Sequence, residues 1–315
     1  MYMKKISIIT PCFNEEANVE LLYDRVKAEL ALIPQYAYEL IYIDNASADA
    51  TVTKIKALIE RDKNVRLIVN ARNFGHIRSP YYGLMQATGD AVILMASDLQ
   101  DPPELISEFV RKWEEGFKIV AGVKTSSEES RIFFMIRKAY YSLVQRIADI
   151  KLIDNFTGFG LYDKEVIDIM RRLDDPYPYL RGLVCEIGFD VAQVEFRQPV
   201  RKRGITKNNF YTLYDIAMLG ITSHSKVPLR MAVFGGFCLA ALSLFLSFVY
   251  LVLKLVLWNS FEFGTAPLLI GLFFFSSVQL FFLGLLGEYV GSIHTQVLKR
   301  PLVVEKERVN FEARA

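Results

Sequence analysis

The chain has 315 residues, with 37 Lys and Arg against 35 Asp and Glu and a formal net charge of +2. This balance excludes a nucleic-acid binder that relies on bulk positive charge. Three cysteines exclude a disulfide framework. Yet 52% of the residues are hydrophobic and the mean hydropathy is +0.23, which is high for a chain with 23% charged residues. The apolar excess therefore predicts a concentrated hydrophobic segment.

The first hundred residues alternate between strand-like and helix-like segments. Apolar runs predict strands at 6–9, 38–43, 65–69 and 91–95, the first of them ended by Pro11. Helical spacing of apolar residues predicts helices at 15–32, 50–61 and 80–87. Repeated alternation of this kind favours an α/β domain, Rossmann-like, with a mostly parallel sheet and helices on both faces.

Polar clusters follow the four predicted strands, at 14–15, 44–49, 73–75 and 98–101. Ligands of open α/β sheets bind outside the carboxyl ends of the strands, so these clusters predict a site there. Neither GxGxxG nor a P-loop is present, which argues against a standard dinucleotide site. The side chains of Asp98, Gln100 and Asp101 offer oxygen ligands of the kind that Mg²⁺ or Mn²⁺ uses while it holds substrate phosphates.

Two later segments suggest contact with a membrane surface. Residues 131–150 have the spacing of an amphipathic helix with a basic side, and 211–225 is a second candidate. A helix packed on the sheet is the alternative for the first. Residues 197–230 carry seven basic side chains and one acid, which suits anionic lipid headgroups. Ordinary charge bias beside a membrane span is the alternative for this basic stretch.

The hydrophobic excess lies near the C-terminus. Residues 231–253 and 263–287 contain no charged side chain, and each run is long enough to cross a bilayer core. Two buried core helices are the alternative. Basic residues before the first run and after the second predict a hairpin with both chain ends in the cytoplasm. With no signal peptide at the N-terminus, we expect a multi-pass protein of the cytoplasmic (inner) membrane.

Four motifs carry a family resemblance: residues 11–16 (PCFNEE), 44–51 (DNASADAT), 73–75 (NFG) and 97–104 (SDLQDPPE). Together they resemble the family-2 glycosyltransferases with a GT-A fold. The chain is most similar to the polyprenyl-phosphate glycosyltransferases, among them dolichol-phosphate mannose synthase and the bactoprenol glucosyltransferases of O-antigen modification. Segments 204–207, 220–223 and 228–230, followed by two spans, fit the same subgroup, so the resemblance covers nearly the whole chain.

The resemblance implies an enzyme that transfers a sugar, with inversion, from a nucleotide sugar (commonly UDP-linked) to polyprenyl (undecaprenyl) phosphate. The product would be a lipid-linked sugar for cell-surface glycans such as lipopolysaccharide. Mg²⁺ or Mn²⁺ is the implied cofactor, and a homo-oligomer is expected. The expected domains are a catalytic domain at 1–196, a basic juxtamembrane segment at 197–229, two membrane helices within 230–294 (about 231–254 and 264–290) and a cytoplasmic tail at 295–315.

Site residues follow from the matched motifs. The residues expected around the nucleotide sugar are Pro11, Phe13, Asn14, Glu15, Asp44, Asn45, Ser47, Asn73, Gly75, Ser97, Asp98 and Arg203. Asp98 and Gln100 are expected to bind the cation. Arg201, Arg203 and Lys207 are expected to meet the lipid phosphate or the donor diphosphate, and Asp154 and Asn155 are candidates for contacting the sugar.

Three carboxylates usual in the relatives are replaced here, by Asn45, Ala96 and Gly158. Gly158 stands where the acid often assigned as catalytic base would be. A catalytically inactive sugar-nucleotide-binding scaffold is therefore the alternative function. A processive polysaccharide synthase is a second one, although two spans are few for a channel.

Overall fold

The computed structural model describes residues 3–126, 152–199, 215, 218–223, 225–257 and 265–311. Eight strands in these ranges form one sheet: β1 (Lys5–Cys12), β2 (Ala37–Asp44), β3 (Val65–Asn70), β4 (Ala91–Leu94), β5 (Ile119–Ser126), β6 (Phe156–Asp163), β7 (Val191–Arg197) and β8 (Glu305–Val309). The α-helices are α1 (Val19–Leu30), α2 (Thr51–Arg61), α3 (Gly75–Gln86), α4 (Ile106–Glu114), α5 (Lys164–Leu173), α6 (Leu180–Glu186), α7 (Val227–Val256) and α8 (Thr265–Val297).

The strand order is β7-β5-β6-β4-β1-β2-β3-β8. Strands β4, β1, β2 and β3 are mutually parallel, β6 lies antiparallel to β4, and β8 lies antiparallel to β3. Because Cys12 stands opposite Asp44 in the register, the loops after β1 and β2 leave the sheet side by side. The predicted mostly parallel sheet is confirmed.

Helices cover both faces of the sheet because side chains along each strand alternate in direction. In β1, Ile8 packs with α1, α2 and α4, while its neighbour Ile9 packs with α3, α5 and α6 on the opposite face. Both side chains are fully buried. Strands covered on both faces read as continuous apolar runs, which is why the sequence pattern was clear in this region.

Element boundaries differ from the predictions where proline or loop hydrogen bonds intervene. Pro11 does not end β1, which continues to Cys12 in parallel register with β2. Helix α1 begins at Val19, four residues later than predicted, because residues 14–16 are bonded to the loop after β2. Helix α3 begins at Gly75 and contains Pro80, which the periodicity placed at the helix start.

The C-terminal strand β8 is a feature that the sequence did not predict. Residues 295–315 were expected to be a tail, yet five of them form a strand along the outer edge of β3. The side chain of Lys56 binds Glu307 at 2.7 Å, and Tyr82 Oη donates to Glu305 at 2.7 Å. The chain therefore returns to the same sheet after its two long apolar helices.

Helices α7 and α8 are long and apolar enough to cross a membrane, by length and composition. Their large side chains are exposed along the length, as for Phe237 at 69% and Leu244 at 73%. Exposure of this kind argues against two buried core helices. Residues 131–150, most of 197–217 and the connection at 258–264 lie outside the described residues, so the predicted amphipathic helix and domain boundaries stay predictions.

Candidate functional site

The candidate site lies at the carboxyl ends of the parallel strands, where the predicted polar clusters meet. Two loops there are joined by reciprocal hydrogen bonds. The amide of Asn14 donates to Ser47 Oγ at 2.8 Å, and the amide of Ala48 donates to Asn14 Oδ1 at 2.8 Å. The amide of Glu15 donates to Thr51 Oγ1 at 2.9 Å. The structure thus brings the loops after β1 and β2 together as one rim.

Two acids of this rim point into the protein. Asp44 is fully buried, and its carboxylate accepts hydrogen bonds from the amide and the hydroxyl of Ser47. Burial raises the pKa of Asp44, although the bonds from Ser47 oppose the shift. Glu15 is also buried and accepts from Asn18 Nδ2 at 2.6 Å. Both were expected around the nucleobase and ribose, and in this structure they shape the loops.

Asn45 fastens the neighbouring loop after β3. Its Nδ2 donates to Asn73 Oδ1 at 2.9 Å and to the Gly75 carbonyl at 3.1 Å. Its Oδ1 accepts from the Phe74 amide at 2.8 Å and from Asn70 Nδ2 at 3.2 Å. An aspartate here could accept the bonds from the Phe74 amide and Asn70. It could not donate the bonds to Asn73 and the Gly75 carbonyl, because a carboxylate has no N–H group. The asparagine at position 45 therefore both donates hydrogen bonds to residues 73–75 and accepts one from them.

The turn after β4 holds the acidic motif. The Gln100 amide donates to Asp98 Oδ1 at 3.1 Å, and Leu99 between them has φ of 62°, in the left-handed region. The Ala96 amide donates to Asp101 Oδ2 at 2.9 Å. Ser97 Oγ donates to the Pro11 carbonyl at 2.9 Å, which ties this turn to the end of β1. The motif is therefore a rigid turn at the same sheet edge.

The three oxygen donors of this turn differ in accessibility. Asp98 and Gln100 are partly exposed, whereas Asp101 is buried. Burial raises the pKa of Asp101 to about 7, opposed by the Ala96 amide and reinforced by Asp98. In the part of the chain that the structure describes, no three His, Cys, Asp or Glu side chains gather as a metal cage. A site of one carboxylate and one amide oxygen fits Mg²⁺ or Mn²⁺, because such ions take much of their coordination from substrate phosphates and water.

A cleft of about 260 Å³ opens beside this turn. Its walls include Pro11, Ala96, Asp101 and Gly158, which come from the ends of β1 and β4 and from β6. Of the residues predicted around the nucleotide sugar, Pro11 is the one that lines the cleft. The others described lie on the surrounding loops.

Two cleft residues were missed by the sequence reasoning. His76 on α3 and Arg181 on α6 line the cleft, and the guanidinium of Arg181 lies 5.3 Å from the ring centre of Tyr179. Burial lowers the pKa of His76, and the charge of Arg181 lowers it further. His76 therefore favours the neutral imidazole, while Arg181 places a positive charge at the wall of the cleft. The one sequence signal for Arg181 was its place in a polar, aromatic stretch outside the recognised motifs.

Gly158 occupies a position where the backbone disfavours any other residue. Its φ is +102°, and a Cβ built there would lie 3.3 Å from Leu180 Cδ2. Its carbonyl accepts from the buried Tyr162 hydroxyl at 2.6 Å, which fixes this part of β6. The residue that replaces the acid of relatives is thus matched to its local conformation.

The remaining predicted residues are not gathered at the cleft. Asp154 is exposed on the segment before β6, and Asn155 beside it has φ of 56°. Arg201, Arg203 and Lys207 lie outside the described residues. Their proposed contacts with phosphate stay predictions.

Comparison of the sequence with known proteins assigns the chain to a family. The sequence profile of Glycosyl transferase family 2 matches residues 7–170. The chain is 33% identical over 308 residues to the uncharacterized glycosyltransferase YkcC of Bacillus subtilis, covering 97% of this chain and 94% of the relative. It is 34% identical over 309 residues to the uncharacterized glycosyltransferase sll0501 of Synechocystis, covering 98% and 96%.

A third relative has a more specific name. The chain is 33% identical over 304 residues to the bactoprenol glucosyl transferase of Shigella phage SfII, covering 96% of this chain and 98% of the phage protein. The match extends through both apolar helices, since nearly the full length of each protein is aligned. With its mostly parallel sheet, its polar rim and these relatives, the chain belongs to glycosyltransferase family 2 and is a glycosyltransferase.

Proposed function

We propose that this protein transfers a sugar from a nucleotide sugar to a polyprenyl phosphate, such as undecaprenyl phosphate, at the cytoplasmic face of the membrane. One observation carries the proposal: a family-2 catalytic sheet is joined in one chain to two helices long enough to span a bilayer. The relative named bactoprenol glucosyl transferase aligns over both parts.

The donor is expected at the rim formed by the loops after β1, β2 and β3. Phe13, Asn14 and Asn73 lie on these loops, and the turn at 97–101 stands beside them. We infer a UDP-linked sugar as the donor, from the resemblance of the rim motifs. Asp98 and Gln100 would hold Mg²⁺ or Mn²⁺, which when bound neutralises the charge of the leaving diphosphate.

The reaction proposed is a single in-line displacement at the anomeric carbon, with inversion. The oxygen of a phosphate monoester has a second pKa near 6 and is largely ionised at pH 7. It needs no base to remove a proton, so an enzyme with glycine at position 158 can still support this attack. What the protein must supply is positioning and positive charge, and Arg181 in the cleft provides a charge where the two anionic substrates would meet.

The fold supports a cytoplasmic catalytic domain. The chain enters α7 from the catalytic domain and returns to the same sheet as β8 after α8. Two crossings and a shared sheet keep both flanks on one side of the membrane. Basic residues on those flanks, among them Lys226, Arg230 and Lys299, favour the cytoplasmic side.

The decisive experiment is an assay of the full chain in nanodiscs with undecaprenyl phosphate, a panel of nucleotide sugars and either Mg²⁺ or Mn²⁺. We expect formation of lipid-linked sugar from one donor, lost by at least about a hundredfold in Asp98→Ala. Asp24→Asn, an exposed carboxylate on α1, is the matched control and should keep full activity.

The same assay tests the alternative of a scaffold, which the alanine at position 96 motivates. Binding of a nucleotide sugar, measured as a thermal shift, without transfer from any donor would favour the scaffold. Full activity of Asp98→Ala would exclude the proposed cation site.

A further inference from the structure

A second cavity lies between the catalytic domain and the C-terminal end of α8. It has a volume of about 640 Å³ and is bounded by Arg78 of α3, Tyr177, the helical segment 218–223 and the last turns of α8. It is separate from the cleft described above, although Ile77 and Arg78, consecutive in α3, line one each.

Arg78 borders this cavity. Its guanidinium lies 5.1 Å from the ring centre of Tyr177, and its buried Nε has no hydrogen-bond partner among the residues that the structure describes. Within the described ranges it also forms no ion pair, although Asp215 and Glu288 line the same cavity. Asp215 is exposed, and Glu288 has an interaction of its own. Because a buried donor without an acceptor is costly, this arrangement points to an anionic ligand.

The opposite wall of the cavity is formed by α8, where glycines leave room for a chain beside polar side chains such as Ser292 and Thr295. Helix α8 has 33 residues, about 50 Å at 1.5 Å per residue, and exceeds the ~30 Å hydrocarbon core. Its last turns therefore extend toward the catalytic domain, where Gln296 Nε2 donates to Asp175 at 2.9 Å. Gly284, Gly287 and Gly291 share one helical face along the cavity, and a Cβ at any of them would meet nothing within 4 Å.

The cavity and the cleft are separated by the segment Tyr177-Pro178-Tyr179. Tyr177 stacks with Arg78 on the cavity side, and Tyr179 stacks with Arg181 on the cleft side. A phosphate held by Arg78 therefore lies across a short segment from the arginine of the cleft.

We propose that Arg78 binds the phosphate monoester of the lipid acceptor as it leaves the bilayer, with the isoprenoid chain lying along the glycine face of α8. The proposal rests on the proposed function, which supplies the acceptor. The proposal adds a capture site, formed by Arg78, that the lipid phosphate occupies before it reaches the cleft.

The first test compares Arg78→Gln with the matched control Arg172→Gln, an exposed arginine on α5. Each full-length variant is assayed in nanodiscs at varied undecaprenyl phosphate. We expect KM for the lipid to rise at least about tenfold in Arg78→Gln, the loss of a charge-assisted hydrogen bond, with kcat and the donor KM within about twofold of wild type. Arg78→Lys should recover part of the loss, and Arg172→Gln should match wild type.

A second variant leaves the arginine in place and fills the lipid wall. Gly287→Leu puts a side chain into open space in the cavity, so it should raise KM for the long-chain lipid without lowering the melting temperature. Gly236→Leu on α7, also in open space and outside the cavity, is its control. This variant keeps the proposal testable if Arg78→Gln folds poorly.

Direct binding separates this proposal from the proposed function. Undecaprenyl phosphate retained on the purified protein is measured by mass spectrometry, without donor, and should be present in wild type and depleted in Arg78→Gln. If wild type makes no lipid-linked sugar but shows this difference, the proposed reaction fails and the capture site stands. An unchanged lipid KM in both Arg78→Gln and Gly287→Leu would overturn the site. So would equal competition by millimolar inorganic phosphate or by phosphatidylglycerol nanodiscs, because the site would then bind any phosphate.

Discussion

Three residues around the site adopt a backbone conformation that favours glycine. Asn14, Ala46 and Leu99 have φ of 57°, 64° and 62°, and they lie after β1, after β2 and in the turn after β4. Asparagine tolerates this region, but alanine and leucine are strained there. Strain of this kind is typical of functional sites, where surrounding hydrogen bonds hold the loop in place.

Ala46→Gly should stabilise the protein. Glycine relieves the left-handed strain at this position, next to the Ser47–Asp44 hydrogen bonds. We expect a gain of about 1 kcal/mol in the free energy of unfolding, measured by denaturant titration in detergent. Ala48→Gly, at a neighbouring position whose backbone is outside the left-handed region, is the control and should not stabilise. A loss of stability in Ala46→Gly would contradict the strain argument.

Gly158→Asp tests whether this chain lacks a catalytic base. Restoring the acid of relatives puts a side chain at φ of +102° and within 3.3 Å of Leu180 Cδ2. We expect a loss of about 2 kcal/mol in stability and no gain in kcat. A folded variant with a clearly higher kcat would show that the wild-type enzyme lacks a catalytic base from which the reaction benefits.

At the scale of elements, Asp62 connects α1, β2 and the end of α2 at the end of the strands opposite the site. It follows α2 and accepts hydrogen bonds from Tyr38 of β2 at 2.5 Å and from Tyr23 of α1 at 3.0 Å. Lys27 Nζ of α1 lies 3.1 Å from the same carboxylate. Burial by itself would raise the pKa of Asp62, but these hydrogen bonds lower that pKa to about 2.

This shift predicts a pH dependence of stability. A carboxyl whose pKa is lower in the folded state stabilises the fold above its ordinary pKa of 3.8, and the contribution disappears as the pH falls toward 2. Asp62→Asn should therefore cost about 2 kcal/mol at pH 7, with the difference from wild type shrinking between pH 4 and pH 2. Melting temperatures across this range measure it, with the exposed Asp24→Asn as control. A difference that stays constant with pH would refute the ionic contribution.

At the scale of the whole molecule, β8 closes one edge of the catalytic sheet with residues from beyond the two long apolar helices. Val309 pairs with Leu67 and Arg308 with Ile68, and Asn310 Nδ2 donates to the Val65 carbonyl at 2.7 Å. Without β8, the outer edge of β3 would present unpaired backbone groups. The strand thus protects the sheet and fixes α8 to the catalytic domain.

Removal of residues 301–315 should therefore lower the melting temperature and promote aggregation through the open edge of β3. A chain ending at Phe311 keeps β8 and is the matched control, expected to behave as wild type. Size-exclusion profiles and thermal melts in detergent measure both effects. An unchanged melt after the longer truncation would mean that β8 adds little to the fold.

The sequence by itself determined the alternating strands and helices, the two apolar spans and the four polar motifs. These features are local: burial on both faces makes β1 to β4 continuous apolar runs, and a bilayer sets the length of a span. The motifs also predicted correctly that polar loops meet at one edge, because parallel strands end together.

Only the tertiary structure decided how the polar residues are used. Asp44 is turned inward by Ser47, Asn45 clamps a loop from another strand, and Arg181 reaches the cleft from outside every motif. Strand β8 carries mostly charged residues, so no alternation of apolar residues predicts a strand there. Its partner β3 lies far away in the sequence. Such contacts depend on which groups the fold brings together and what they can donate or accept, and that information is not contained in any single stretch of the chain.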